Sequence, residues 1–303
     1  MFDKRVNNSL QLGYVRRYTL SEGKENGLKV VELNNGILRV LLNESKALDV
    51  MQIWYKGVNM SFVSKNGFTV RELPFIKRFE GGMIYTCGLD SIGGRDGFEL
   101  HGSLHNTPSK VVEVIQNDDK LQVKAIVENT ALFGENLALQ RTITLLVNDN
   151  KFLLEDKLIN MGVRTENYCL LYHINFGYPM LDEGVEIVAD LSSVTPRSEH
   201  SEEKVLSRPV FEPPIDNEEE RCYFLDNNSD CVSVVNKKIG KKATISYSKD
   251  TLPCLIQWNS PASHDYALGL EPSTSFLDDK FSYKEIEPNN EVDFAVQICF
   301  DEI

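Results

Sequence analysis

At 303 residues, with 42% hydrophobic and 25% charged residues, the chain has the composition of an ordinary globular protein with enough apolar content for a large core. A formal net charge of −13 argues against nucleic acid and against anionic lipid surfaces as partners, because both demand a basic face. There is no apolar run of about 18 residues to cross a membrane, and the polar start from Met1 to Asn8 lacks a signal-peptide centre, so cytoplasmic residence is the expectation.

Along the chain, β-branched runs and period-two alternation recur at short intervals. Strands are expected over Leu28–Glu32, Leu38–Leu42 and Val50–Tyr55, separated by Asn34-Asn35-Gly36 and by the polar Asn43-Glu44-Ser45-Lys46. A glycine-rich stretch follows, in which Gly81-Gly82 and Gly88 flank a short apolar strand and Gly93-Gly94 lies beyond. Such glycines mark bulges or places where a ligand approaches the backbone, and tight turns explain them equally well. They match neither a P-loop nor a dinucleotide fingerprint, since no Gly-Lys-Ser/Thr and no βαβ unit accompanies them.

Further strands are expected over Val111–Ile115, Leu121–Glu128, Leu137–Val147, Phe152–Asn160, Leu170–Phe176 and Val185–Ala189. The series continues with Cys231–Asn236, Ala243–Tyr247, Cys254–Asn259, Ala267–Glu271 and Glu291–Phe300. No 3.6-residue periodicity persists over ten residues. Strands continue across the midpoint without a linker, so residues 1–303 read as one all-β domain, a sandwich or barrel. Ser198–Glu220, rich in glutamate and proline, reads as a long surface loop. The six cysteines show no C-x-x-C spacing and read as reduced thiols.

Polar residues stand out within this apolar pattern. Alternation puts Leu171, His173 and Asn175 on one face of a strand, with Tyr172, Ile174 and Phe176 on the other. A histidine and an asparagine on an apolar strand must be hydrogen-bonded or functional. Glu271 ends an apolar run and precedes Pro272, which is expected to stop pairing; a carboxylate placed there is suited to a raised pKa and a basic role. His101 lies before Gly102, and His105 four residues later; taken alone, each is better explained as a hydrogen-bonded structural residue than as a catalytic one.

In their order, Arg78-Phe79-x-Gly81-Gly82, Thr86-Cys87-Gly88-Leu89, Leu100-His101-Gly102, His173 in Tyr-His-Ile-Asn-Phe-Gly, and Gly269-Leu270-Glu271-Pro272-Ser273 resemble the galactose mutarotase-like (aldose 1-epimerase-related) superfamily. The similarity runs from about residue 28 to 300. It implies a large antiparallel β super-sandwich with a sugar in a cleft on its concave face. It also implies that His173 is the general acid and Glu271 the general base of anomer exchange, with Arg78 and His101 holding the sugar. Asn175, on the His173 face, joins them as a substrate-binding candidate. An acidic group that binds hydroxyls is not clearly placed, and Asp226 and Glu220 are its candidates.

Ring opening and closure by an acid and a base needs no metal or organic cofactor. The expected partner is a small sugar or sugar derivative, and the chain is open to homo-oligomer formation. Trp54, Tyr172 or Phe176 could stack on a sugar face, and Arg197 could anchor a charged one. Two other readings stay open here: a metal-dependent sugar isomerase using His101, His105, His173 and Glu271, and a sugar-binding module without catalysis.

Overall fold

The computed structural model describes residues 4–95 and 97–303, so Met1–Asp3 of the polar start lie outside the described residues. Its first strands are β1 (Tyr14–Thr19), β2 (Lys29–Asn34), β3 (Leu38–Asn43), β4 (Asp49–Tyr55) and β5 (Val58–Asn59). A one-turn helix, α1 (Phe75–Arg78), precedes β6 (Ile84–Leu89). A meander follows through β7 (Lys110–Gln116), β8 (Lys120–Thr130), β9 (Asn136–Leu146) and β10 (Lys151–Asn160). Next come β11 (Glu166–Phe176), β12 (Glu186–Val188) and β13 (Leu191–Pro196), then a second short helix, α2 (Glu199–Glu203). The chain continues through β14 (Arg221–Asn227), β15 (Cys231–Asn236), β16 (Lys241–Tyr247) and β17 (Cys254–Ser260). It closes with β18 (Ala267–Ser273), β19 (Lys284–Ile286) and β20 (Glu291–Glu302).

These strands form two antiparallel sheets. The larger runs β1-β2-β3-β4-β6-β11-β18-β17-β14-β13, with β5 added at β4 and β19 at β11. The smaller runs β12-β15-β16-β20-β10-β9-β8-β7. Alternation explains the smaller sheet: in β8, Leu121, Val123, Ala125 and Val127 face inward while their neighbours are partly exposed. The inward residues meet Val40, Ile53, Tyr172 and Leu268 of the larger sheet in one apolar cluster that also takes in Phe152, Phe294 and Ile298. Each fully buried large side chain contributes about 2 kcal/mol.

The central strands β6, β11 and β18 of the larger sheet are buried on both faces. Their second face carries a separate cluster that includes Tyr85, Cys87, Leu171, Cys222, Phe224 and Ile256. Between the sheets lies a buried ionic group. Arg141 of β9 donates to Asp156 of β10, to Asp49 of β4 and to Thr86 of β6, while Tyr172 of β11 donates to Asp156. Among the described residues no helix is long and apolar enough to cross a membrane.

Several elements differ from expectation. β1 and β13 are edge strands whose mostly exposed side chains give no alternation to read. β14 opens on a charged residue, Arg221, which is buried against Glu212 and Glu218. The acidic stretch 198–220 is a surface excursion, as expected, but one with built structure and fixed contacts. It holds α2 and a 3-10 turn at Val205–Ser207, buries Ser201 and Phe211, and uses its glutamates to pair with Arg221.

Candidate active site

The site is built from neighbouring strands at the centre of the larger sheet. Alternation along β11 sends Tyr172, Ile174 and Phe176 into the inter-sheet core and leaves His173 facing a cleft on the opposite side. The register that pairs Ile174 with Leu270 and Leu171 with Ser273 sets Glu271 of β18 opposite His173. His173 Nε2 and Glu271 Oε1 are 3.1 Å apart. The residues are only 4% and 2% exposed, and Glu271 Oε1 has no hydrogen-bond donor. The two groups are at ion-pair distance but out of line for a hydrogen bond.

Two features of β18 permit this contact. Pro272 does not stop pairing as expected: β18 continues to Ser273, with Pro272 opposite Leu255 of β17. The rungs that are missing lie on the β11 side, at Tyr172 and His173, where a residue without an N–H can be accommodated. At Gly269, a β-carbon would lie 2.7 Å from Glu271 Oε1 and 3.0 Å from His173 Cε1. Glycine there lets the carboxyl and the imidazole approach.

Electrostatics separates the two groups. Burial, reinforced by Glu220 and opposed by Arg197, raises the Glu271 carboxyl from 4.5 to about 8. Burial lowers the His173 imidazole from 6.5 to about 4, against the opposing effect of the hydrogen bond that its Nδ1 makes to Asn175 Oδ1. His101 joins them, its ring edge-on to His173 at 5.5 Å and to Phe75 at 5.2 Å. Burial, and then the neighbouring His173 and Arg197, lower the His101 ring to about 3. Its backbone has φ 69°, a left-handed conformation that costs a non-glycine residue about 1 kcal/mol. Its Nδ1 is buried without a partner.

The cleft above these groups has a volume of about 520 Å³. Phe75 of α1 and Phe79 immediately after it, with Phe62 and Trp258, form apolar walls, while Arg197, Glu220, Lys65 and Asp265 supply polar groups. Trp258 stands edge-on to His173 at 5.3 Å and donates its indole N–H to Glu220 over 2.8 Å. Lys65 and Asp265 pair across the cleft at 2.6 Å. An apolar enclosure with a few convergent polar groups suits a small polar ligand.

His101, His173 and Glu271 thus converge, Arg197 and Glu220 line the same cleft, and Arg78 and Asn175 do not. Arg78 is turned away: Phe75 and Phe79, four residues apart around α1, take the cleft side, and Arg78 pairs with Glu99 along a separate cavity of about 750 Å³. The arginine that lines the cleft is Arg197. Asn175, expected to touch substrate, is fully buried with its amide engaged by His173 and backbone carbonyls, so its contact is with the histidine. Of the acidic candidates, Glu220 lines the cleft and Asp226 is exposed on β14.

His105 is held between Asp49 at 2.5 Å and Glu80 at 3.3 Å and does not line the cleft. The four residues of the metal reading do not converge, and among the described residues no cluster of three or more His, Cys, Asp or Glu is arranged to hold a metal. Trp54 packs on Arg39, while Tyr172 and Phe176 belong to the core. Sequence reasoning missed Trp258, Phe75 and Phe79 as the aromatic walls. The four-residue spacing of Phe75 and Phe79 was the available signal.

The model of a domain of unknown function, DUF4432, matches residues 25–291. No curated protein matches the sequence. Among solved structures, a candidate aldose 1-epimerase from Klebsiella pneumoniae has a TM-score of 0.87 at 23% identity, covering 94% of this chain and 83% of its own. A galactose mutarotase-like protein from Clostridium acetobutylicum has a TM-score of 0.72 at 13% identity, covering 97% and 100%. A candidate mutarotase from Salmonella typhimurium has 0.70 at 10% identity, covering 95% and 94%. The two-sheet architecture is therefore the galactose mutarotase-like sandwich, and on the extent of the family match the chain belongs to DUF4432.

Proposed function

We propose that this protein is an aldose 1-epimerase-like isomerase that interconverts the anomers of a free sugar or sugar derivative. The observation that carries the proposal is the buried contact, 3.1 Å, between His173 Nε2 and Glu271 Oε1 on the floor of the cleft. Mutarotation requires one group to protonate the ring oxygen while another takes the proton of the anomeric hydroxyl. The bond from the anomeric carbon to the ring oxygen then breaks. Rotation about the neighbouring carbon–carbon bond lets the ring reclose on the other face of the carbonyl, and both protons return.

Positioned proton transfer contributes about 10²–10⁴-fold per group. Trp258 and Phe79 offer apolar surface to the sugar's C–H face. His101, Glu220 and Arg197 are the groups available for hydroxyls or a charged substituent. The test is anomer exchange measured by NMR saturation transfer over a panel of neutral and anionic aldoses. Glu271→Gln and His173→Asn should each slow exchange by about two orders of magnitude with the fold intact. Rates unchanged in both variants would remove the proposal.

A further inference from the structure

The turn of α1 divides two cavities. Phe75, Ile76 and Phe79 border the cleft, while Pro74 and Arg78 border the larger cavity of about 750 Å³. The walls of that second cavity hold polar groups whose hydrogen bonding is incomplete. Arg78 is 8% exposed, and of its guanidinium nitrogens only Nη2 meets an acceptor among the described residues, the Glu99 carboxylate. Its Nε is buried without one. Asn106, at the end of the 3-10 turn Leu104–Asn106, adds a second such donor, since its Nδ2 is buried with no acceptor. Both atoms can only donate, so whatever completes them must bring acceptors.

The charges around the cavity favour an anion. Glu44 is already held by Arg17 through both carboxylate oxygens, at 2.7 and 3.1 Å. The buried Lys46 is matched by Glu80 at 2.6 Å. Lys29 and Arg71, both exposed, have no ionic partner among the described residues, against one unmatched acid, Glu72. Glu99 holds Arg78 weakly: its side chain is 39% exposed, so water competes for the pair and an incoming anion can take its place. Val70, Leu73 and Pro108 supply apolar surface, and the volume is that of a small-molecule site rather than of a bare ion.

We infer that this cavity is a second ligand site, which takes a small organic oxyanion, a phosphate monoester or a carboxylate. Its anionic group displaces Glu99 from the Arg78 guanidinium, whose planar fork suits either anion, and accepts from Asn106. Lys29 and Arg71 draw the anion in, and the apolar residues hold its carbon skeleton. The formal net charge of −13 disfavours anions over the molecule at large, so retention has to come from these local groups. None of them lines the cleft, and the site does not depend on the proposed anomer exchange.

Isothermal titration calorimetry of the full chain with glycerol 3-phosphate, with glycerate and with neutral glycerol tests the site. Saturable binding of glycerol 3-phosphate or glycerate is expected, with glycerol silent, and the tighter of the two identifies the anion. Arg78→Gln should weaken binding by about tenfold or more. Glu99→Gln, which frees the guanidinium, should tighten it by about threefold. Charge reversal at the mouth, Lys29→Glu with Arg71→Glu, should weaken it, whereas Arg197→Gln in the cleft should leave it unchanged. Absence of saturable binding of both anions overturns the inference. So does binding undiminished by the reversal at the mouth, or binding lost in Arg197→Gln, which would place the anion in the cleft. Should Arg78→Gln not fold, the exposed variants at Glu99, Lys29 and Arg71 decide. Binding needs no turnover, so absent anomer exchange would defeat the proposed function without touching this site.

Discussion

The carboxyl of Glu271 and the imidazoles of His173 and His101 pull stability in opposite directions as pH changes. The raised Glu271 carboxyl holds its proton in the folded state up to about 8, whereas the unfolded chain releases it near 4.5. Its stabilising contribution is complete below 4.5 and is lost as pH rises to about 8. His173 and His101, lowered to about 4 and about 3, bind protons more readily when unfolded, so their contribution grows as pH rises towards 6.5. Two histidines outweigh one carboxyl below 6.5; above it the carboxyl acts together with His105, whose imidazole, against burial, is held above its usual range by Glu80 and Asp49. Thermal melting across pH should therefore show a maximum near 6.5, and Glu271→Gln should flatten the alkaline side. A decline of equal steepness in that variant would contradict the assignment. His173 could be read from sequence because a polar residue on an apolar strand face needs a reason. The orientation of Arg78 could not, because it depends on how a single helical turn docks.

At the scale of elements, strand register brings His173 and Glu271 together. Glu271 meets His173 because β18 pairs with β11 in one register, and Gly269 leaves room for the contact. Gly269→Ala would press a methyl on the end of the flexible Glu271 side chain, which can swing aside, and on the His173 ring. Anomer exchange should fall by about tenfold or more while chemical denaturation shifts by no more than about 1 kcal/mol. A large loss of stability with full specific activity would contradict this account. Strands with one inward face, such as β8 and β16, were legible because alternation records burial. β1 and β13 were not, as edge positions impose little pattern. The fixed contacts of the acidic stretch 198–220 were not legible because its glutamates balance a buried arginine, a pairing made by tertiary structure.

For the whole molecule, the buried Arg141 group joins the two sheets. Both acids it contacts, Asp49 and Asp156, are 2% exposed and lie in different sheets. Arg141→Met would leave two buried carboxylates without their cation and should cost about 3–5 kcal/mol in urea denaturation. A loss below about 1 kcal/mol would show that the cluster relaxes or hydrates. The two-sheet, all-β architecture was legible from many short alternating strands, whereas this ionic contact between distant strands left no local signature. The contact also continues towards the cleft: Asp49 bonds His105, whose ring stacks on Tyr85 at 3.6 Å, and Tyr85 stands edge-on to His101. The floor is thus anchored through the body of the sandwich, while Lys65, Arg197 and Asp265 belong to connecting segments at its rim. Such a division allows the rim residues to be exchanged, and the cleft's lining retuned, without disturbing the buried floor.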